Sequence, residues 1–162
     1  MKIFSFHISR LYSVGLYVML AALALSLGGM VYILFRPSEH VFFGWIRAVG
    51  LNHWLTIARG SSLSSGLFRP EWIVYSLPNG LWAFAYALII TSIWWGSKSW
   101  LRYLWMASIP VLVLGYEVLQ YPMIIPGTFS MQDIIFGIAG LTIGIIVGVR
   151  IIKPDNHEKA FE

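Results

Sequence analysis

The chain has 162 residues, 58% of them hydrophobic and only 11% charged, with a net charge of +4. Soluble domains average roughly 25% charged residues, so this composition argues against a water-soluble fold and for one membrane domain. Cysteine is absent, which excludes disulfides and thiolate chemistry. The basic residues stand singly at the ends of apolar runs, which fits membrane topology and not nucleic acid.

Crossing a hydrocarbon core takes about 20 helical residues. Four stretches are long and apolar enough: about 11–35, 72–95, 103–121 and 134–152. The expected fold is all-α, a polytopic membrane protein of four transmembrane helices. Lys2 and Arg10 precede the first run in the manner of a signal peptide. A secretory apolar segment is only about 7–15 residues long, and this one continues further, so a retained anchor is expected.

The longest connection follows, between Arg36 and Arg69. In about 41–57, Phe42, Trp45, Ile46 and Val49 recur at helical spacing, with Arg47 among them. The run is too short for a fifth span and predicts a helix lying in the outer interface, aromatics sunk and Arg47 wet. The "GSSLSSG" segment after it reads as a hinge. Pro78, Asn79 and Gly80 interrupt the start of the second span, so its regular helix is expected to begin there.

Seven basic residues (Lys2, Arg10, Lys98, Arg102, Arg150, Lys153 and Lys159) fall on the side of the termini. Four (Arg36, Arg47, Arg59 and Arg69) fall opposite. Retention of positive charge then places both termini in the cytoplasm. Trp94, Trp95, Trp100, Tyr103 and Trp105 surround the inner loop, and Trp72, Tyr75, Tyr116 and Tyr121 mark the outer interface.

Two acids stand out. Glu117 lies in the outer part of the third span, with Gln120 at i+3 on the same face. A carboxylate at that depth costs a few kcal/mol unless it is paired, wet or protonated. It is either an inward-facing acid in a cavity open to the outside or a structural acid held by hydrogen bonds. Asp133 follows Ser130 by three residues, an S-x-x-D capping box at the start of the fourth helix. A binding role beside the cap stays open. Gly137, Gly140, Gly144 and Gly148 form one stripe against which another helix can pack closely.

Candidate cations for the acids are Arg36, Arg47, Arg59 and Arg69. A polar outer pocket of Arg47, Arg69, Asn79, Trp82, Glu117, Gln120 and Asp133 is expected, either a lipid-phosphate site or an internal salt bridge. The four histidines are scattered without metal spacing, and no nucleophile triad, P-loop or dinucleotide fingerprint occurs. No cofactor, metal or catalytic residue is therefore assigned.

The second half resembles the VanZ-like membrane proteins, whose last spans carry E-x-x-Q and then P-x-R-x-x-D-x-x-D-x-x-x-N-x-x-G. Glu117 and Gln120 match the first pair, Asp133 the later aspartate and Gly140 the final glycine. Gly137 stands where the family has asparagine, and "IIPGTFSMQ" lacks the loop arginine and aspartate. "PNGLWAFAYALI" is loosely similar to the family's D-K-x-x-H-x-x-x-Y segment, with Asn79 at the acidic position.

The resemblance implies a bacterial multi-pass protein of the cell envelope, from a family named for a protein linked to teicoplanin resistance. It also implies contact with lipid-linked intermediates at the outer leaflet. Three functions follow as expectations. The first is binding of a lipid headgroup or envelope intermediate at the outer pocket. The second is an accessory subunit of a larger membrane complex. The third and least supported is an enzyme using Glu117 or Asp133 as general base.

Overall fold

The computed structural model describes residues 2–36, 41–64, 70–125 and 128–152. Among them the chain is all-helical: α1 (Lys2–Phe35), α2 (Val41–Ala48), α3 (Asn52–Ser64), α4 (Glu71–Tyr75), α5 (Leu77–Trp94), α6 (Leu101–Gln120) and α7 (Met131–Ile152). Four segments are long and apolar enough to cross a membrane: Val14–Phe35, Glu71–Trp94, Leu101–Gln120 and Met131–Ile151.

The second of these segments is made of α4 and α5 in tandem. Pro78 has no N–H to give Val74, so the helical ladder loses one bond at Ser76. The ladder resumes at once, with Gly80 N donating to the Ser76 carbonyl at 3.1 Å. Pro78 then sits in the first turn of α5, where a missing donor costs nothing.

The connection expected to hold one interfacial helix over 41–57 holds two helices instead. Gly50 adopts φ +79°, a left-handed conformation that ends α2 as a C-cap and lets the chain restart as α3. The "GSSLSSG" hinge is also corrected, since α3 runs on through Ser64. Serine costs a helix only a fraction of a kcal/mol relative to alanine, so small polar residues alone do not stop one that is under way.

Two contacts tie this connection to the bundle. Phe43 is fully buried and stacks on Tyr32 of α1, with ring centroids 6.2 Å apart. Arg59 donates to the carbonyls of Ile33 (3.2 Å) and Arg36 (2.6 Å), so it closes carbonyls that α1 leaves open at its C-terminus.

α5 is the hub of the bundle. Half of its span is buried, against 17–22% of the other three. Its most extensive partner is α7, and the glycine stripe explains why. A Cβ on Gly140 would overlap the Gly80 carbonyl of α5. One on Gly144 would lie 2.5 Å from the Phe84 carbonyl, and one on Gly148 2.9 Å from Thr91. The helices meet backbone to backbone, as small residues permit in lipid. Gly137, the first of the expected stripe, departs from it: its near neighbours are Val113 and Leu114 of α6. On its other side α5 meets α1 through Ala85 and Leu88 against Ala21 and Ala24.

Candidate functional site

The polar residues gather at one end of the bundle, where α1 and α6 finish and α4 and α7 begin. They line a cavity of about 960 Å³. α1 and the residue after it bring Tyr32 and Arg36, and α4 brings Glu71 and Tyr75. Asn79, Trp82 and Tyr86 come from α5, and Tyr116, Glu117 and Gln120 from α6. Ser130 and Asp133 close the ring at the start of α7.

Glu117 and Gln120 are both buried, at 7% and 8% exposure. The Glu117 carboxylate reaches across to the next helix, where its Oε2 accepts the Ser130 backbone N–H at 3.3 Å. With the Gln120 amide set so that its nitrogen faces acceptors, it donates to Glu117 Oε2 (3.3 Å) and to the Thr128 carbonyl (3.2 Å). Glu117 and Gln120 thus bind the end of α6 to the strand of chain that enters α7.

This arrangement rewrites the capping box. Ser130 Oγ accepts the Asp133 N–H at 3.4 Å, so Ser130 is the helix cap as the sequence predicts. The reciprocal bond, from the Ser130 N–H to the side chain three residues on, goes to Glu117 instead. Asp133 is released from the cap. Its Oδ1 is buried and has no protein partner. Of the two acids, Glu117 is held as a strut by hydrogen bonds, and Asp133 keeps a carboxylate oxygen without a protein partner.

Among the described residues the cation of the site is Arg36. Its Nη2 donates to the Tyr75 carbonyl at 2.9 Å, and its guanidinium lies 5.2 Å from the Tyr32 ring centroid and 5.0 Å from that of Tyr75. These contacts hold it by its edge and faces. Its Nε is buried without a partner. Among the described residues no ion pair joins Arg36 to Glu117, Asp133 or Glu71, although all four line the cavity. Of the two readings of the pocket, the internal salt bridge is not formed by Arg36, and Arg69, another candidate cation, lies outside the described residues.

Five expected site residues are brought together: Asn79, Trp82, Glu117, Gln120 and Asp133. Arg47 is not among the lining residues. It is exposed near the C-terminal end of α2. Arg69 lies outside the described residues. Tyr75 and Tyr116, read as interface markers, also line the cavity, while Trp72 stacks on Phe136 with centroids 5.6 Å apart.

Sequence reasoning missed Tyr32, Tyr86, Ser76 and the place of Arg36 on the cavity lining. The available signal was position, since Arg36 ends the first span at the level where Glu117 ends the third. Tyr86 is set by a chain of hydroxyls. Ser108 donates to the Trp105 carbonyl at 2.6 Å and so accepts from Tyr86 at 2.7 Å, which ties α5 to α6 below the cavity.

Among the described residues no cluster of histidine and acidic side chains is placed to hold a metal ion. Comparison with protein-family models, with curated proteins and with solved structures gives no match to this chain.

Proposed function

We propose that this protein is a VanZ-like, non-catalytic component of a bacterial cytoplasmic membrane that binds a lipid headgroup or lipid-linked envelope intermediate. The binding site is the polar cavity, facing outward, with both termini cytoplasmic. The seven-to-four distribution of basic residues supports that orientation. α2 and α3 then lie in the outer headgroup layer, where Trp45 and Trp54, both largely exposed, meet lipid.

One observation carries the reading. Of the five buried side-chain atoms without a hydrogen-bond partner among the described residues, three belong to residues that line this cavity: Arg36 Nε, Ser76 Oγ and Asp133 Oδ1. An unsatisfied buried polar group costs about 1–3 kcal/mol. Three of them in residues that line one cavity favour a polar ligand over a bundle closed for stability. The cavity volume lies at the upper end of the roughly 300–1,000 Å³ typical of small-molecule sites. That is ample for a headgroup.

The test is purification of tagged protein from native membranes in mild detergent, with lipidomics and proteomics on the same eluate. The expected result is one headgroup class enriched over bulk membrane and lost in Arg36→Gln. An eluate with bulk lipid composition would contradict the reading. Stoichiometric larger proteins in it would assign the chain to a complex as an accessory subunit.

A further inference from the structure

The charge around the cavity is uneven in the direction opposite to the one a simple phosphate site requires. Among the described residues, three carboxylate residues (Glu71, Glu117 and Asp133) line it against one guanidinium, Arg36. The other described arginines of this end are committed elsewhere. Arg59 is spent on the carbonyls that end α1 and lies over Phe43 at 5.1 Å, and Arg47 is exposed off the cavity. A ligand that is only anionic would meet one cation and an excess of carboxylates.

We infer that the ligand carries a primary ammonium beside its phosphate, as in a phosphoethanolamine headgroup; this rests on the headgroup reading above. Arg36 takes the phosphate through its guanidinium, which the Tyr75 carbonyl and the Tyr32 and Tyr75 rings hold in place on the lining. Asp133 takes the ammonium through its carboxylate, because Glu117 has replaced it in the helix cap.

Two further features fit a primary ammonium. Asn79 lies on the lining, and its amide oxygen is a second acceptor for the N–H groups. Trp82, Tyr86 and Tyr116 supply aromatic rings, which attract cations by their faces. A quaternary ammonium would use the rings but has no N–H to give Asp133 or Asn79. Glu117 makes no headgroup contact through Oε2, which already accepts from Ser130 and Gln120.

The experiment offers the full chain, purified and delipidated in detergent, an equimolar mixture of phosphatidylethanolamine, phosphatidylcholine and phosphatidylglycerol with identical acyl chains. Retained lipid is read by native mass spectrometry. Phosphatidylethanolamine is expected to exceed phosphatidylglycerol by about tenfold or more, the scale of one hydrogen bond to a charged group. Asp133→Asn, which keeps the backbone cap to Ser130, should bring that ratio close to one. Arg36→Gln should weaken all three lipids together.

Equal retention of the three lipids, or a preference for phosphatidylglycerol, overturns the ammonium assignment and leaves the headgroup reading standing. No retained lipid of any class overturns both. A parallel arm offers soluble phosphoethanolamine. If it binds as tightly as the diacyl lipid, the ammonium–phosphate chemistry is supported and its source is a soluble compound.

Discussion

The α5–α7 interface and the cavity at the bundle's polar end use opposite means of holding helices together. Along α5–α7 the side chains are removed: Gly140, Gly144 and Gly148 let one backbone lie on another, and tolerance for added volume is nil. At the cavity the helices stand apart, and two polar bridges span the gap, from Glu117 to Ser130 and from Arg36 to Tyr75. The first region leaves no open space between the helices. The second is spanned by Glu117 and Arg36, while Arg36, Asp133 and Ser76 each keep an unpartnered atom. Close packing and the open polar cavity are thus divided between the middle of the bundle and its end.

The sharpest way to break the close interface is Gly140→Leu. The side chain must enter space held by the Gly80 carbonyl, and overpacking against backbone, with no flexible neighbour to yield, costs roughly 3 kcal/mol or more. Fluorescence-detected size exclusion should show little folded protein. Next in size is Glu117→Ala, which leaves the Ser130 N–H and the Gln120 amide without their acceptor. A loss of about 1–3 kcal/mol is expected, read as a lowered melting temperature in detergent. If Glu117→Ala lost ligand binding but no stability, Glu117 would be a ligand contact and not a strut.

How much of this was legible in the sequence depended on whether one helix carried the whole signal. The spans are runs of apolar residues, and the glycine stripe recurs on one face of α7, so both could be read locally. The release of Asp133 could not. Ser130 and Asp133 spell a capping box, and only the position of α6 reveals that Glu117, thirteen residues earlier, takes the box's second bond. Arg36 and Arg47 are both candidate cations in the sequence, which puts Arg47 and not Arg36 in the pocket. Arg36 is selected because Tyr32 and Tyr75 come from different helices to grip it, and Arg47 is excluded because Phe43, and not its own side chain, anchors α2. The one-helix reading of 41–57 failed because the side-chain period continues across a glycine whose backbone turns.

Smaller effects sharpen the comparison. Ser130→Ala removes the α7 cap and should cost about 1 kcal/mol, with its backbone N–H still held by Glu117. The same melting measurement reads it, and a loss as large as that of Glu117→Ala would deny the strut its primacy. Smallest, and opposite in sign, is Thr91→Val. Thr91 is fully buried in the close interface with an unpartnered hydroxyl, so its replacement should be neutral or stabilise by up to about 1 kcal/mol. A clear destabilisation there would mean that the hydroxyl is satisfied, and that unpartnered atoms do not single out the cavity.

The most direct test of the division between strut and contact is a titration of delipidated protein with phosphatidylethanolamine, following the melting temperature. A ligand that binds only the folded state raises that temperature with concentration, by about 2.7 kcal/mol of stabilisation at a hundred times Kd. The account predicts a concentration-dependent rise for the unmodified chain and little or none for Asp133→Asn, each measured against its own melting temperature without lipid. An equal rise in both would show that Asp133 is not the ligand's carboxylate and would contradict the account at its centre.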